Sequence, residues 1–178
     1  RRGDPETFYV FSGFLAPPTV YRLDVATLGS TVFRRPKVDF DASAFEVLKI
    51  KLGAPGDMEL VRAVRASTRQ VLRVDANEGW TFDGALERLP ELARLGVEFV
   101  EQPLPAAQLE ATRELRKRSP LPFIADESVH DAADIPQLAG AFDGINLKLA
   151  KCGGIAPARA IIAVARAHGL KILLGCMI

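Results

Sequence analysis

The sequence is poor in cysteine and in long apolar runs. Its 178 residues include only two cysteines, Cys152 and Cys176, and these form no CxxC motif or Cys/His cluster. Neither a disulfide scaffold nor a zinc site is therefore indicated. No apolar run approaches the ~18 to 20 residues that cross a bilayer, and the start of the chain has no signal-peptide pattern. A cytoplasmic protein is expected.

The sequence also lacks an excess of charge of either sign. Lysine and arginine total 23 against 22 aspartate and glutamate, so the formal net charge is +1. A strong field that would attract nucleic acid or an anionic membrane is absent, and neither is expected as a partner. The composition, 48% hydrophobic and 25% charged, is that of a globular protein. The expected partner is a small molecule.

The two ends of the sequence are unlike those of a complete protein. The first residue is Arg1 and not Met, and the last, Ile178, lies within an apolar run typical of a buried strand. These features predict a fragment or a truncated gene product.

From about residue 45 onward, short apolar runs alternate with helical patterns. The runs cover residues 47–52, 70–76, 97–102, 121–127, 144–149 and 171–177. A charged residue late in each of the first five runs recurs every 22 to 26 residues: Lys51, Asp75, Glu101, Asp126 and Lys148. This spacing is typical of a βα repeat, and six such strands predict either a doubly wound sheet or a (β/α)₈ barrel.

The segments between the runs carry signals for the ends of helices. Asp57 is expected to cap one helix and Thr81 to open the next, and Gly96 and Gly169 are expected to end helices. Pro90 is expected to kink or divide the helix that Thr81 opens.

Residues 1–44 do not follow the repeat. They are interpreted as an irregular amino-terminal segment, with one strand at residues 8–11, or as a degraded first βα unit. Residues 45–178 would then supply about strands 2 to 7 of a barrel.

Side-chain alternation along each strand separates apolar from charged residues. Leu48, Ile50 and Leu52 share one face of the first run, and Lys49 and Lys51 share the other. The charged residues thus point away from the helix layer and lie late in their strands, where barrel enzymes build active sites. The structural alternative is that the two lysines protect an edge strand from aggregation.

Three carboxylates on consecutive strands, Asp75, Glu101 and Asp126, would repel one another unless a cation binds them. Oxygen ligands with positions left for water and substrate favour Mg²⁺ or Mn²⁺. Lysines enter from the strands on either side, and nearby positive charge lowers the pKa of a lysine toward that of a useful base. This arrangement suits removal of a proton from the carbon next to a carboxylate and its return on the other face, through an ene-diolate that the metal stabilises.

Two other charged residues are expected to have structural roles. Lys151 is expected to be a solvated loop residue, and Arg73 to pair with a neighbouring carboxylate inside the barrel.

Six short stretches, in order and at βα spacing, carry a family resemblance. They are LKIKLG at 48–53, RVDANEGW at 73–80, VEQPLP at 100–105, ADES at 125–128, NLKLAKCGG at 146–154 and GCM at 175–177. Together they resemble the enolase superfamily, in particular its muconate lactonizing enzyme subgroup and, within that, the dipeptide epimerases of the L-Ala-D/L-Glu type. The resemblance implies a TIM-type (β/α) barrel, here incomplete because the capping domain and the closing strand are not recognised.

The resemblance also implies a role for each charged residue on the strands. It implies an isomerase that epimerises a dipeptide and binds Mg²⁺ through Asp75, Glu101 and Asp126. Lys51 and Lys148 would be its two acid/base lysines. Lys49 would be a supporting lysine near the substrate carboxylate. Asn77 is implied to lie near the metal.

Two alternatives remain open. Cycloisomerisation of a muconate, dehydration to o-succinylbenzoate and N-acylamino acid racemisation use a similar site in the same superfamily. The chain could instead be an inactive remnant that associates into a homo-oligomer through unpaired strand edges.

Overall fold

A computed structural model describes residues 6–13, 16–24, 27, 30–34, 47–53 and 56–175. The chain divides into two compact units, Arg1–Phe45 and Glu46–Ile178. The strands are β1 (Glu6–Gly13), β2 (Ala16–Asp24), β3 (Ser30–Arg34), β4 (Val47–Lys51), β5 (Val71–Asp75), β6 (Val97–Glu101), β7 (Phe123–Ala125), β8 (Gly144–Lys148) and β9 (Lys171–Gly175). The α-helices are α1 (Asp57–Ser67), α2 (Phe82–Arg94), α3 (Leu109–Arg118), α4 (Ile135–Leu138), α5 (Leu149–Cys152) and α6 (Ile155–Ala167).

The first unit contains an antiparallel sheet in the order β1-β2-β3. The strand expected at residues 8–11 lies within β1, and two further strands lie where the sequence shows no regular period. Among the described residues, β3 pairs with β2 from Val20 onward, and the part of β2 that contains Pro17 and Pro18 pairs with β1. Proline is tolerated where a strand has a free side, because no ladder bond from its nitrogen is needed there.

The second unit is a six-stranded parallel sheet in the order β4-β5-β6-β7-β8-β9. Each strand pairs with the next one along the chain, and the order never reverses. A doubly wound sheet would reverse its order at a switch point, whereas a barrel adds strands in one direction. The sheet is therefore part of a TIM-type (β/α) barrel, which is one of the two folds that the repeat predicted and the one that the family resemblance implied.

Local signals set most helix ends in this unit. The Thr81 hydroxyl accepts a hydrogen bond from the Gly84 N–H at 3.2 Å and caps α2. Gly96 and Gly169, at φ 70° and 72°, follow α2 and α6 in the left-handed conformation that terminates a helix. The expected cap at Asp57 is one residue off, because Gly56 is the N-cap of α1 and Asp57 is its first helical residue.

Of the two effects expected for Pro90, a kink or a division of α2, the division does not occur. The helix is continuous from Phe82 to Arg94, and it buries Leu89 and Leu92 on one side. The burial of this apolar face outweighs the hydrogen bond that the proline removes.

The core lies between the sheet and the helices and takes one face of each strand. Strand residues such as Leu48, Ile50, Leu72 and Val74 are buried in one cluster with residues of the surrounding helices. The opposite face of the strands carries the charged residues, as the alternation predicted, together with the buried apolar side chains of Phe99 and Ile124. None of the helices in the described part of the chain is long and apolar enough to span a membrane.

Candidate active site

The polar site is built where β4, β5 and β6 end at the same level. Lys51 pairs with Asp75 in the β4–β5 ladder, and Asp75 pairs with Glu101 in the β5–β6 ladder. Asp126 follows the last residue of β7, and Lys148 is the last residue of β8. The parallel register therefore brings residues from five consecutive strands to one edge of the sheet.

Three carboxylates form the centre of the site. Asp75, Glu101 and Asp126 each offer an oxygen atom, and these atoms lie within 4.8 Å of one another. Their exposed fractions are 1%, 0% and 1%. Three carboxylates packed this closely away from water repel one another strongly and require positive charge nearby.

Lys49 supplies positive charge to two of these carboxylates. Its Nζ atom lies 2.8 Å from Asp75 Oδ2 and 2.8 Å from both oxygens of Glu101. Burial by itself lowers the pKa of Lys49, but hydrogen bonds and charge from Asp75 and Glu101 outweigh it, so the pKa is raised. Lys49 therefore stays protonated in this arrangement.

Lys148 and Lys151 hold the third carboxylate. The Lys148 ammonium donates to Asp126 Oδ2, and the Lys151 ammonium lies 3.0 Å from Asp126 Oδ1 and also donates to the Asp126 carbonyl. Burial raises the pKa of Asp126, but the two lysines more than offset it, and the pKa lies below its usual range. Asp126 is thus held as a carboxylate.

The pKa of Glu101 is shifted in the opposite direction, above its usual range. Its burial raises its pKa, and the neighbouring charge of Asp75 adds to that effect, while hydrogen bonds from Lys49 and Asn146 oppose it. The result is a raised pKa at the centre of the cluster, where an additional cation would favour the charged form most.

Lys51 shares the site face but stands apart from these contacts. Its side chain is exposed and makes no hydrogen bond or ion pair with the described residues. Lys51 and Lys148 end β4 and β8, and the strands that lead to the three carboxylates lie between them. The two lysines thus flank the carboxylates from opposite sides.

The environment of Lys151 corrects one expectation. Lys151 is not a solvated loop residue, because its side chain is only 17% exposed and lies on the short helix α5. Since α5 begins directly after β8, positions 148 and 151 are three apart on one helical turn and reach the same carboxylate. This spacing is the sequence signal that could have identified Lys151.

Two buried amides also belong to the site, and the sequence pattern does not predict a role for either. Asn146 Nδ2 donates to Glu101 Oε1 at 2.8 Å, and Asn146 lies two residues before Lys148 on the same face of β8. A Cβ at Gly175 would lie 2.3 Å from Asn146 Oδ1, so a residue with a side chain at this position of β9 would displace the Asn146 amide. The second amide, Gln102, contacts the segment that carries Asp126.

Two further residues lie at the margin of the site. The Asn77 N–H donates to Asp75 Oδ1 at 3.1 Å, beside the carboxylate cluster. Arg73 pairs with Glu98 at 2.7 Å, and because Glu98 is 48% exposed this ion pair is not enclosed within the barrel. Arg73 thus pairs with a neighbouring carboxylate as expected, but the ion pair is partly exposed to solvent and does not lie inside the barrel.

The donor set fits a divalent cation of the Mg²⁺ class. Each carboxylate offers hard oxygen atoms, and the set contains no sulfur or imidazole ligand. Glu101 Oε2 is buried and has no hydrogen-bond partner of good geometry among the described residues, with the Lys49 ammonium 2.8 Å away. A buried oxygen with free acceptor capacity is what a metal ligand requires.

The chain is similar in sequence and in fold to known proteins. Residues 36–178 match the family described as enolase C-terminal domain-like. The L-Ala-D/L-amino acid epimerase of Flavobacterium johnsoniae is 38% identical over 161 residues, which cover 90% of this chain and 46% of that protein. The L-Ala-D/L-Glu epimerase of Escherichia coli is 36% identical over 169 residues, which cover 93% of this chain and 52% of that protein.

A solved structure gives the same assignment of fold. The dipeptide epimerase of Enterococcus faecalis, complexed with Mg and the dipeptide L-Leu-L-Tyr, superposes with a TM-score of 0.71 at 37% identity. The match covers 75% of this chain and 39% of that one. The chain therefore spans about half the length of the curated relatives, or less, and matches them in the region that carries the polar site.

Proposed function

The chain belongs to the enolase C-terminal domain-like family, and from that premise we propose that it carries the catalytic part of a Mg²⁺-dependent dipeptide epimerase. The observation that carries the proposal is the buried cluster of three carboxylates flanked by lysines on β4 and β8. The relatives named as epimerases of dipeptides or of L-Ala-D/L-amino acid substrates support the substrate class.

In this proposal Asp75, Glu101 and Asp126 hold the metal ion, with Mn²⁺ as a substitute of the same oxygen preference. When bound, the cation would stabilise the negative charge that develops on the substrate carboxylate as the adjacent carbon loses its proton. Lys49, whose ammonium already lies among these oxygens, contacts the substrate carboxylate.

Lys51 and Lys148 act as the two acid/base groups. One lysine removes the proton from the α-carbon and leaves a planar ene-diolate form of the substrate. The other lysine then returns a proton to the opposite face, and the configuration is inverted. The two lysines lie on opposite sides of the carboxylate cluster, and this placement supports proton removal by one and proton return by the other.

The proposal is tested with L-Ala-L-Glu and Mg²⁺ in D₂O. Loss of the α-proton is followed by NMR, and the epimer is followed by chiral chromatography. The wild-type chain should exchange the proton and invert the centre, whereas Lys148→Ala should lose inversion and retain only exchange initiated from the Lys51 side. Lys171→Ala, which removes an exposed lysine of β9, is the matched control and should behave as wild type.

Unimpaired inversion by Lys148→Ala would refute the two-base assignment. Turnover of a muconate, an o-succinylbenzoate precursor or an N-acylamino acid in place of the dipeptide would assign the same site to another reaction of the superfamily. Such an outcome would keep the lysine and metal roles and replace the substrate class.

A further inference from the structure

Gln102 is a buried side chain whose role the carboxylates and lysines do not explain. It follows Glu101 directly at the end of β6 and has an exposed fraction of 0%. Its φ of 36° lies in the left-handed region, which is unfavourable for a residue with a side chain. A buried, conformationally strained polar residue next to a site must be held by strong local interactions.

The amide of Gln102 uses its full hydrogen-bonding capacity. Its Oε1 accepts from the Asp126 N–H at 3.0 Å and from the Ser128 N–H at 3.3 Å. Its Nε2 donates to the Leu104 carbonyl at 3.0 Å and to Ser128 Oγ at 2.9 Å. Two acceptor and two donor bonds are what an uncharged amide can make, and a carboxylate could not make the two donor bonds.

These bonds replace a strand pairing that β7 lacks. The β6–β7 ladder ends where Glu101 pairs with Ile124, and the Gln102 N–H then donates to the Ile124 carbonyl at 2.9 Å. Beyond that point β7 has no further ladder partner on β6, and the backbone N–H of Asp126 is bound by the side chain of Gln102 instead of a strand carbonyl.

The backbone of Gln102 reaches the other neighbour of β6. Its carbonyl accepts from the Glu78 N–H at 2.9 Å, three residues beyond Asp75. Gln102 is therefore bonded to the segments that follow β5 and β7, and it adjoins Glu101 itself. One residue thus ties together the three segments that carry the carboxylates.

We propose that Gln102 is a positioning residue that fixes the three carboxylates, and Asp126 in particular, in the arrangement that binds a divalent cation. This inference rests on the metal site of the proposed function. Groups that orient metal ligands typically change metal affinity by 10- to 100-fold when they are removed.

The test measures Mn²⁺ affinity of the full chain by titration calorimetry and by electron paramagnetic resonance. Gln102→Glu keeps the size of the side chain but removes both donor bonds, and it should weaken Mn²⁺ binding by ~10- to 100-fold. Gln108→Glu makes the same change of charge at an exposed position and should bind Mn²⁺ as wild type does.

A second control separates positioning from general loss of stability. Thr112 is buried in α3, where its hydroxyl donates to the Gln108 carbonyl at 3.0 Å. Thr112→Val should lower the midpoint of thermal unfolding without a change in Mn²⁺ affinity. If Gln102 were merely structural, Gln102→Glu would likewise lose stability and keep its affinity, and that result would overturn the inference.

Ser128→Ala provides a milder variant should Gln102→Glu fail to fold. It removes one acceptor from the Gln102 amide and should weaken Mn²⁺ binding toward the ~10-fold end of the range. Affinity equal to wild type in every folded variant would overturn the positioning role and leave the metal site intact. Absence of Mn²⁺ binding by wild type would instead overturn the proposed metal site itself.

Discussion

Single residues at the site are governed by the balance of buried charge. Three carboxylates face three ammonium groups, with Lys49 shared by Asp75 and Glu101, and with Lys148 and Lys151 on the third carboxylate. Each ammonium removes part of the repulsion that burial would make costly. The same contacts leave each of the three carboxylates paired with at least one ammonium group.

A residue away from the site shows how a lowered pKa affects stability. Asp134 Oδ2 accepts from the N–H groups of His130 at 2.8 Å and Asp131 at 3.0 Å. Burial raises the pKa of Asp134, but these backbone bonds and the nearby positive charge outweigh it and lower the pKa. The ionised carboxylate therefore stabilises the folded chain, and protonation removes that contribution.

Asp134→Ala should lower the free energy of unfolding by about 1 to 2 kcal/mol at pH 7, from the loss of charge-assisted hydrogen bonds. Because the folded pKa is lowered, the difference from wild type should be constant above the ordinary aspartate pKa of ~3.9 and should shrink as the pH falls through the lowered pKa. Urea unfolding at a series of pH values measures this difference in the free energy of unfolding. Glu87→Ala, at an exposed position of α2, is the control, and a difference that grows in acid would contradict the assignment.

At the scale of elements, packing decides where the local signals conflict. Thr81 and Gly96 delimit α2 as the sequence indicates, yet Pro90 lies within the helix without ending it. The buried face that includes Leu89 and Leu92 keeps the helix together across the missing hydrogen bond.

Pro90→Ala should therefore stabilise the chain. Position 90 is exposed, and alanine restores an N–H that can donate to the Leu86 carbonyl, so a gain of about 1 to 3 kcal/mol in the free energy of unfolding is expected. Urea unfolding again gives the measurement. Glu87→Ala in the same helix should stay within about 0.5 kcal/mol of wild type, and destabilisation by Pro90→Ala would show that the proline contributes to packing.

Across the whole barrel unit, the sheet is open in the described residues. β4 pairs only with β5, and β9 only with β8, so each presents an unpaired edge. Unpaired edges favour association with another chain, whereas a bound cation would join β5, β6 and the segment after β7. Metal binding therefore predicts a rise in melting temperature with Mg²⁺, whereas edge association predicts oligomers that form as the protein concentration increases.

Saturating Mg²⁺ should raise the melting temperature if the metal site is formed. At a concentration 100 times the Kd the linkage is worth about 2.7 kcal/mol, which corresponds to about 5 to 11 °C for a chain of this size. Differential scanning calorimetry measures the shift, and Glu101→Gln, which keeps the size of the side chain and removes a proposed ligand, should abolish it.

Sedimentation velocity on the same samples tests the alternative. A monomer stabilised by Mg²⁺ would argue strongly against the inactive remnant. Concentration-dependent association with no shift by Mg²⁺ would support the remnant and contradict the proposed metal site.

Much of the fold and site follows from periodicity in the sequence. Strand alternation places Lys49, Asp75 and Glu101 on one face, and the spacing of the βα repeat puts them at one edge. Strand periodicity does not predict the contact of Lys151 with the site, because the position of Lys151 depends on a helical turn that begins immediately after β8. Nor does it predict the contacts of Gln102, because nothing in the neighbours of Gln102 along the chain reveals that β7 is too short to bond the Asp126 N–H.

The sequence by itself determined the repeating strands, the face on which the charges lie and the identity of the three carboxylates, since these depend on local periods of two residues in a strand and on the spacing of the repeat. Only the tertiary structure decided the strand order, which separates a barrel from a doubly wound sheet. It also decided which lysine holds which carboxylate and how Gln102 joins three segments. Such contacts depend on residues more than 20 positions apart, and their distances are set by the packing of the whole sheet.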